Sequence, residues 1–163
     1  MKLSIQSLVQ QQAILDQRIF DLHETSRIDT LMERILAMIV EVGELANETR
    51  CFKFWSIKPA SDMEVIAQEF SDGIHFILSL GIDLGDDQSD VESIIVQGSL
   101  TQQFLLCFET ISQLSRSFDL KTYRTAFGYY LGIGERLGLS EQEIIEHYNK
   151  KNQTNHKRQD ENY

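Results

Sequence analysis

Proline is nearly missing from this chain: Pro59 is the only one in 163 residues, so little in the covalent chain interrupts long helices. Cysteine is scarce as well. Cys51 and Cys107 stand far apart, with no CxxC spacing and no histidine at metal-ligand distance, which sets aside a disulfide framework and a thiolate metal site and reads as free, reduced thiols. Positive charge is in short supply, with 15 Lys and Arg against 25 Asp and Glu and a net charge of −10. Broad electrostatic binding to nucleic acid is therefore not expected, and any phosphate chemistry calls for metal ions. The cations that exist cluster late, at Lys150, Lys151, His156, Lys157 and Arg158, where the plainest reading is a solvated tail. No apolar run approaches the roughly 20 residues that span a bilayer, and the start, MKLSIQSLVQQQAILD, lacks the apolar core of a signal peptide. The expectation is a cytoplasmic protein with no membrane partner.

What is present is helical periodicity. Apolar residues recur three and four apart nearly throughout, without the sustained alternation of a half-buried strand, so the expected fold class is all-α: a single-domain bundle of about five to six helices over residues 1–163. A first helix is expected from about Ser4 to Leu22, carrying Ile5, Leu8, Val9, Ala13 and Leu15 or Ile19 inward. A second opens near Asp29 or Thr30, carries Ile35, Met38, Ile39, Val42 and Leu45 as one stripe, and ends around Arg50. CFKFWSIKPA reads as a connection, because Pro59 cannot continue a helix. Ser61 with Glu64 forms a capping-box pattern, which predicts a third helix running to about Leu80. After the aspartate-rich GIDLGDDQSD loop, helices are expected over Val91 to Arg116 and Leu120 to Leu137, and Ser140 with Glu143 offers a capping box for the last. The polar stretch from Asn152 onward is expected to be a flexible tail that orders over substrate.

Two helices carry carboxylates three apart: Glu41 and Glu44 in EVGELANE, then Glu69 and Asp72 in AQEFSDGIHF. Residues at that spacing project from one side of a helix, so each pair can point at a common spot. Glu41, Glu44 and Glu48 border the apolar stripe of the second helix; on the third, Glu69 and Asp72 share a sector with Phe76, while Ile66, Phe70 and Ile77 form a separate apolar side. Carboxylates crowded beside a core repel one another and resist desolvation unless a cation compensates them. Magnesium fits, since it takes oxygen ligands from one or two carboxylates and completes its shell with water and phosphate oxygens. The competing reading is of ordinary solvated acidic faces, common on helices. Gly43, inside the second helix, marks either a close approach to the backbone or tolerated packing.

EVGELANETRCFKFWS followed by QEFSDGIHFILSLG resembles the dimeric, all-α dUTPase family, within the wider superfamily of all-α NTP pyrophosphatases that includes MazG-like enzymes and is marked by ExxE followed by ExxD. QQAILD near the start resembles the family's nucleobase-contacting first helix, and KKNQTNHKRQ its C-terminal phosphate and base motif. The resemblance implies a homodimer that hydrolyses dUTP, and dUDP as a second substrate, to dUMP, with pyrophosphate released from dUTP. It implies that Glu41, Glu44, Glu69 and Asp72 coordinate two or three Mg2+ ions and that Glu44, or else Glu41, orients and deprotonates the attacking water. Lys53, Lys151 and Arg158 would hold phosphate oxygens. Gln12 and Asn155 would contact uracil, Trp55 and Phe76 would wall the pocket, and Asp16 and His75 would lie near the sugar or behind the ligands. Asp16 stands where the family often has asparagine. DENY closes the chain where a glycine before the last tyrosine is common, which bears on a lid role for Tyr163.

Two other readings stay open on the residues alone. The same metal chemistry could serve another base, as in a dCTP or damaged-nucleotide pyrophosphatase, with Gln12, Asn155, Trp55 and Phe76 deciding. Alternatively, the acidic face could bind a basic partner in a helical interaction protein with no activity.

Overall fold

The computed structural model describes residues 1–161, and Tyr163, whose lid role the DENY ending bears on, lies outside them. The described chain runs β1 (Lys2–Ser4), α1 (Gln6–Leu22), α2 (Leu31–Thr49), α3 (Met63–Asp83), β2 (Asp90–Glu92), α4 (Leu100–Gln113), α5 (Leu120–Leu137) and α6 (Glu141–Asp160). It is an all-α, single-domain bundle with one small ribbon, in which β1 pairs antiparallel with β2 and Leu3 faces Val91. No described helix is long and apolar enough to cross a membrane.

The amphipathic stripes settle where each helix packs. On α2 the side chains of Ile35, Met38, Val42 and Leu45 are all buried, four positions of the stripe the 3.6-residue period marks out. On α3 the apolar side of Ile66, Phe70 and Ile77 is buried too. Burial continues around it, because α3 is central and packs against α1, α2, α5 and α6. Glycine permits that crowding at two places: a Cβ on Gly73 would lie 2.1 Å from the Tyr130 hydroxyl, and one on Gly81 2.1 Å from that of Tyr123. Tyr130 stacks on Phe70 with centroids 4.6 Å apart and donates to the Phe70 carbonyl at 2.7 Å, which locks α5 against the back of the helix that carries Glu69 and Asp72. Gly43 is different. A Cβ there would come no nearer than 4.0 Å, to Phe108, so it marks ordinary packing and not a close approach.

Several boundaries differ from the sequence expectation. Residues 91–99 are not the start of a helix: Val91 belongs to β2, and Gly98 takes φ 118°, outside helical angles. Val91, Ile94, Ile95 and Val96 are β-branched and suit extended backbone. Gln103 then serves this loop, accepting from the Val96 amide at 2.8 Å and donating to the carbonyls of Ile94 and Tyr129. The helix begins at a capping box of Ser99 and Gln102. The box at Ser140 and Glu143 forms as expected, but the one at Ser61 and Glu64 does not: Asp62 is the N-cap residue of α3, and the Ser61 hydroxyl donates instead to Glu48. The stretch from Asn152 is helical as far as Asp160, with Asn152 itself buried, because α6 lies against α3 and α1.

Candidate active site

The acidic pairs meet where α2 and α3 pack. Ligand oxygens of Glu41, Glu69 and Asp72 all lie within 4.8 Å of one another. Glu41 Oε2 and Asp72 Oδ1 are buried without a hydrogen-bond partner, an unfavourable state for a carboxylate oxygen unless something else arrives to meet it. The electrostatics agree. Burial, reinforced by Asp72, Glu44 and Glu69, pushes the Glu41 carboxyl up from 4.5 to about 7; burial together with Asp72 raises Glu69, and burial raises Asp72 against the opposing pull of Lys151. Lys151, reaching in from α6, donates to Asp72 Oδ2 at 2.6 Å. An all-oxygen cluster with unmatched negative charge suits a hard divalent cation. Glu44 sits at the exposed edge of this cluster, and Glu48 is drawn away by Ser61 to tie down the connection after α2.

From the carboxylates a cleft of about 480 Å³ runs between α1, α2, α3 and α6. Its far end is a network of hydrogen bonds. Gln12 donates from Nε2 to Asp16 Oδ1 at 2.7 Å, and its Oε1 lies 2.7 Å from His75 Nδ1 and 3.0 Å from the Tyr148 hydroxyl. Asp16 Oδ2 accepts from Ser79 at 2.7 Å and pairs with Arg27 at 3.1 Å. Arg34 joins Ser79 at 3.0 Å and shares Asp83 with Arg27. The Tyr148 ring stacks on His75 with centroids 4.2 Å apart. Burial first, then the charge of Lys151, pushes His75 down to about 3, so its ring is neutral at ordinary pH. Phe76 also lines the cleft.

The dUTPase family profile matches residues 4–163. The chain belongs to the dUTPase family. Membership makes it a hydrolase acting on the pyrophosphate bond of dUTP, and an enzyme of nucleotide metabolism. A search of curated proteins found no match. Against the family's expected site, the structure brings Gln12, Asp16, Glu41, Glu44, Asp72, His75, Phe76, Lys151, Asn155 and Arg158 around one cleft, and Glu69 joins through the carboxylate cluster. Lys53 and Trp55 do not line it. Lys53 bonds Asn47 and lies over the Phe52 ring, while Trp55 is 65% exposed and edges against Phe52 and Phe54.

Sequence reasoning passed over Tyr148, Ser79, Arg27 and Arg34. The signal for Ser79 was available: Asp72, His75, Ser79 and Asp83 continue one face of α3 at helical spacing. Arg34 lies on α2 seven residues before Glu41, again on one face. Nothing local in the sequence ties Tyr148 to Gln12, since that contact depends on α6 packing over α1.

Proposed function

We propose that the cleft binds dUTP with its triphosphate over the carboxylates and its uracil at the Gln12 and His75 end, and that hydrolysis yields dUMP and pyrophosphate. The observation that carries this reading is the convergence of Glu41, Glu69 and Asp72 oxygens within 4.8 Å at the mouth of a cleft whose other end is lined by an amide and a neutral imidazole. Glu41, Glu44, Glu69 and Asp72 would hold two or three Mg2+ ions, whose charge offsets that of the triphosphate and lowers the pKa of bound water. Glu44 stands outside the converging three and has an exposed carboxylate, so it is suited to orient the attacking water and take its proton.

Lys151 and Arg158 lie on the same face of α6 and line the cleft, where they meet phosphate oxygens, Arg158 by its planar fork. Asn155 brings a donor and an acceptor to the base edge, and Phe76 gives the ring an apolar wall. Lys53 and Trp55 belong to this reading as residues that approach substrate when the 50–62 connection moves inward or a second subunit presents it. A homodimer is part of the proposal, since Met32, Leu36 and Val40 form an exposed apolar row on α2, and Gly43 on the same helix lines a hollow with exposed Leu105 of α4. So is a cytoplasmic location.

The test is incubation with dUTP, dCTP, dTTP and UTP, with and without Mg2+, following monophosphate and pyrophosphate release, with Glu44→Gln as control. Mg2+-dependent release of dUMP from dUTP, lost in the variant, supports the reading. Equal cleavage of several nucleotides would move the protein to a broader pyrophosphatase role, and cleavage of none would refute the mechanism.

A further inference from the structure

Gln12 is the residue expected to read the base, yet it is only 4% exposed and its amide is largely spent on the protein. The partners dictate its orientation. Asp16 Oδ1, 2.7 Å from Nε2, belongs to a carboxylate that also accepts from Ser79 and pairs with Arg27, so it offers acceptors alone and must face the amide nitrogen. The amide oxygen is thereby turned toward His75 and Tyr148. An oxygen 2.7 Å from Nδ1 requires a hydrogen on Nδ1, because two acceptors at that distance repel. In a neutral ring the other nitrogen is then bare. That atom, Nε2 of His75, is buried and has no hydrogen-bond partner, although the residue lines the cleft.

We infer that Asp16 is a positioning residue for base selection: through Gln12 it fixes the Nδ1–H tautomer of His75 and holds Nε2 as an acceptor for a ring N–H. This deepens the dUTP reading and rests on it. Uracil carries a hydrogen on its N3, whereas cytosine has a lone pair there, so the same His75 atom attracts one base and repels the other. Nε2 is buried before a base enters, so the contact forms as the base binds. An asparagine at position 16 could offer Gln12 either its oxygen or its nitrogen, and both orientations of the Gln12 amide, with both tautomers of His75, would become available. The carboxylate removes that ambiguity.

The full chain, labelled with ¹⁵N-histidine and titrated with dUMP or dCMP as hydrolysis-resistant probes, tests this by NMR, with His75 assigned by the loss of its signals in His75→Gln. The expected spectrum of the free wild-type protein shows the hydrogen of His75 on Nδ1, and an Nε2 resonance that shifts with dUMP and not with dCMP. A hydrogen on Nε2, or an Nε2 signal indifferent to dUMP, overturns the inference. In Asp16→Asn, with folding checked by circular dichroism, the ring should become a mixture of tautomers. The dUTP to dCTP ratio of kcat/KM should fall about tenfold, the size of one hydrogen bond gained or lost; an unchanged tautomer and ratio in the folded variant overturns it. Should that variant fail to fold, the wild-type spectrum decides alone. Absence of turnover on any nucleotide would defeat the catalytic reading, while the dUMP titration would still decide whether His75 meets the base.

Discussion

At one end of the cleft Glu41 Oε2 and Asp72 Oδ1 are buried without partners, whereas at the other Gln12, Asp16, Ser79 and the Tyr148 hydroxyl all have theirs. Both ends draw on the same helix, α3, within a few residues. The acidic end is left under-compensated, which raises its carboxyls and leaves room for charge brought by a ligand. Among the described residues the other end is closed on itself except at His75 Nε2 and Asn152 Nδ2, which leaves room for geometry. Under the proposed function, cation binding and base choice would be divided along a single helix.

The sharpest way to break this division is at Glu44. Glu44→Gln should lower kcat by roughly 10²–10⁴-fold, the range for removing a general base, while the melting temperature stays nearly unchanged because the side chain is exposed. A modest loss would mean that the proton goes elsewhere. Next is the support behind the acids: Gly73→Ala places a methyl 2.1 Å from the Tyr130 hydroxyl and should cost about 1–3 kcal/mol in chemical denaturation, as overpacking does. A neutral result would show that α5 can withdraw without disturbing α3.

A third experiment separates the two ends by pH. Glu41 has its folded-state pKa raised from 4.5 to about 7, so its contribution to stability is fully present below 4.5 and is lost as pH climbs toward 7. Without divalent cations the melting temperature should therefore fall across that window, less so in Glu41→Gln, and Mg2+ should restore it. Asp90, Asp119, Glu135 and Glu143 are shifted the opposite way, so their contributions fade on acidification, in a lower window. An identical pH profile for wild type and Glu41→Gln would contradict the crowding argument. The smallest effect belongs to the closed end, where Tyr148→Phe removes one hydroxyl from Gln12 and should cost about 1 kcal/mol, measured by urea denaturation.

Much of this was readable in the chain because helical spacing is a local property. The α2 stripe, the span of α5, the Ser140 cap and the placing of Glu41 with Glu44, and of Glu69 with Asp72, on one side of their helices all follow from residues three or four apart. What escaped was decided at a distance. Ser61 does not cap because α3 opens one residue later, at Asp62, and its hydroxyl donates to Glu48 on the preceding helix. Val91 joins a strand because Leu3, far off in sequence, supplies the other edge. The stretch after Asn152 looks too polar to hold a helix, yet Tyr148, Lys151 and Asn152 anchor it on α1 and α3. Lys53 and Trp55 sit on a connection whose course no periodicity dictates, and here it leads away from the cleft.

The pairing of Lys151 with Asp72 means that the acidic pocket carries its own provisional counter-ion. Under the proposed function a divalent cation entering there would compete with that ammonium, and the ammonium turned out of the pocket would face the triphosphate in a cleft of about 480 Å³. Uptake of the cation and uptake of the anion would then be thermodynamically reciprocal, each tightening the other by the same factor. The protein would hold metal weakly when idle and firmly when occupied, through a single lysine that exchanges Asp72 for phosphate.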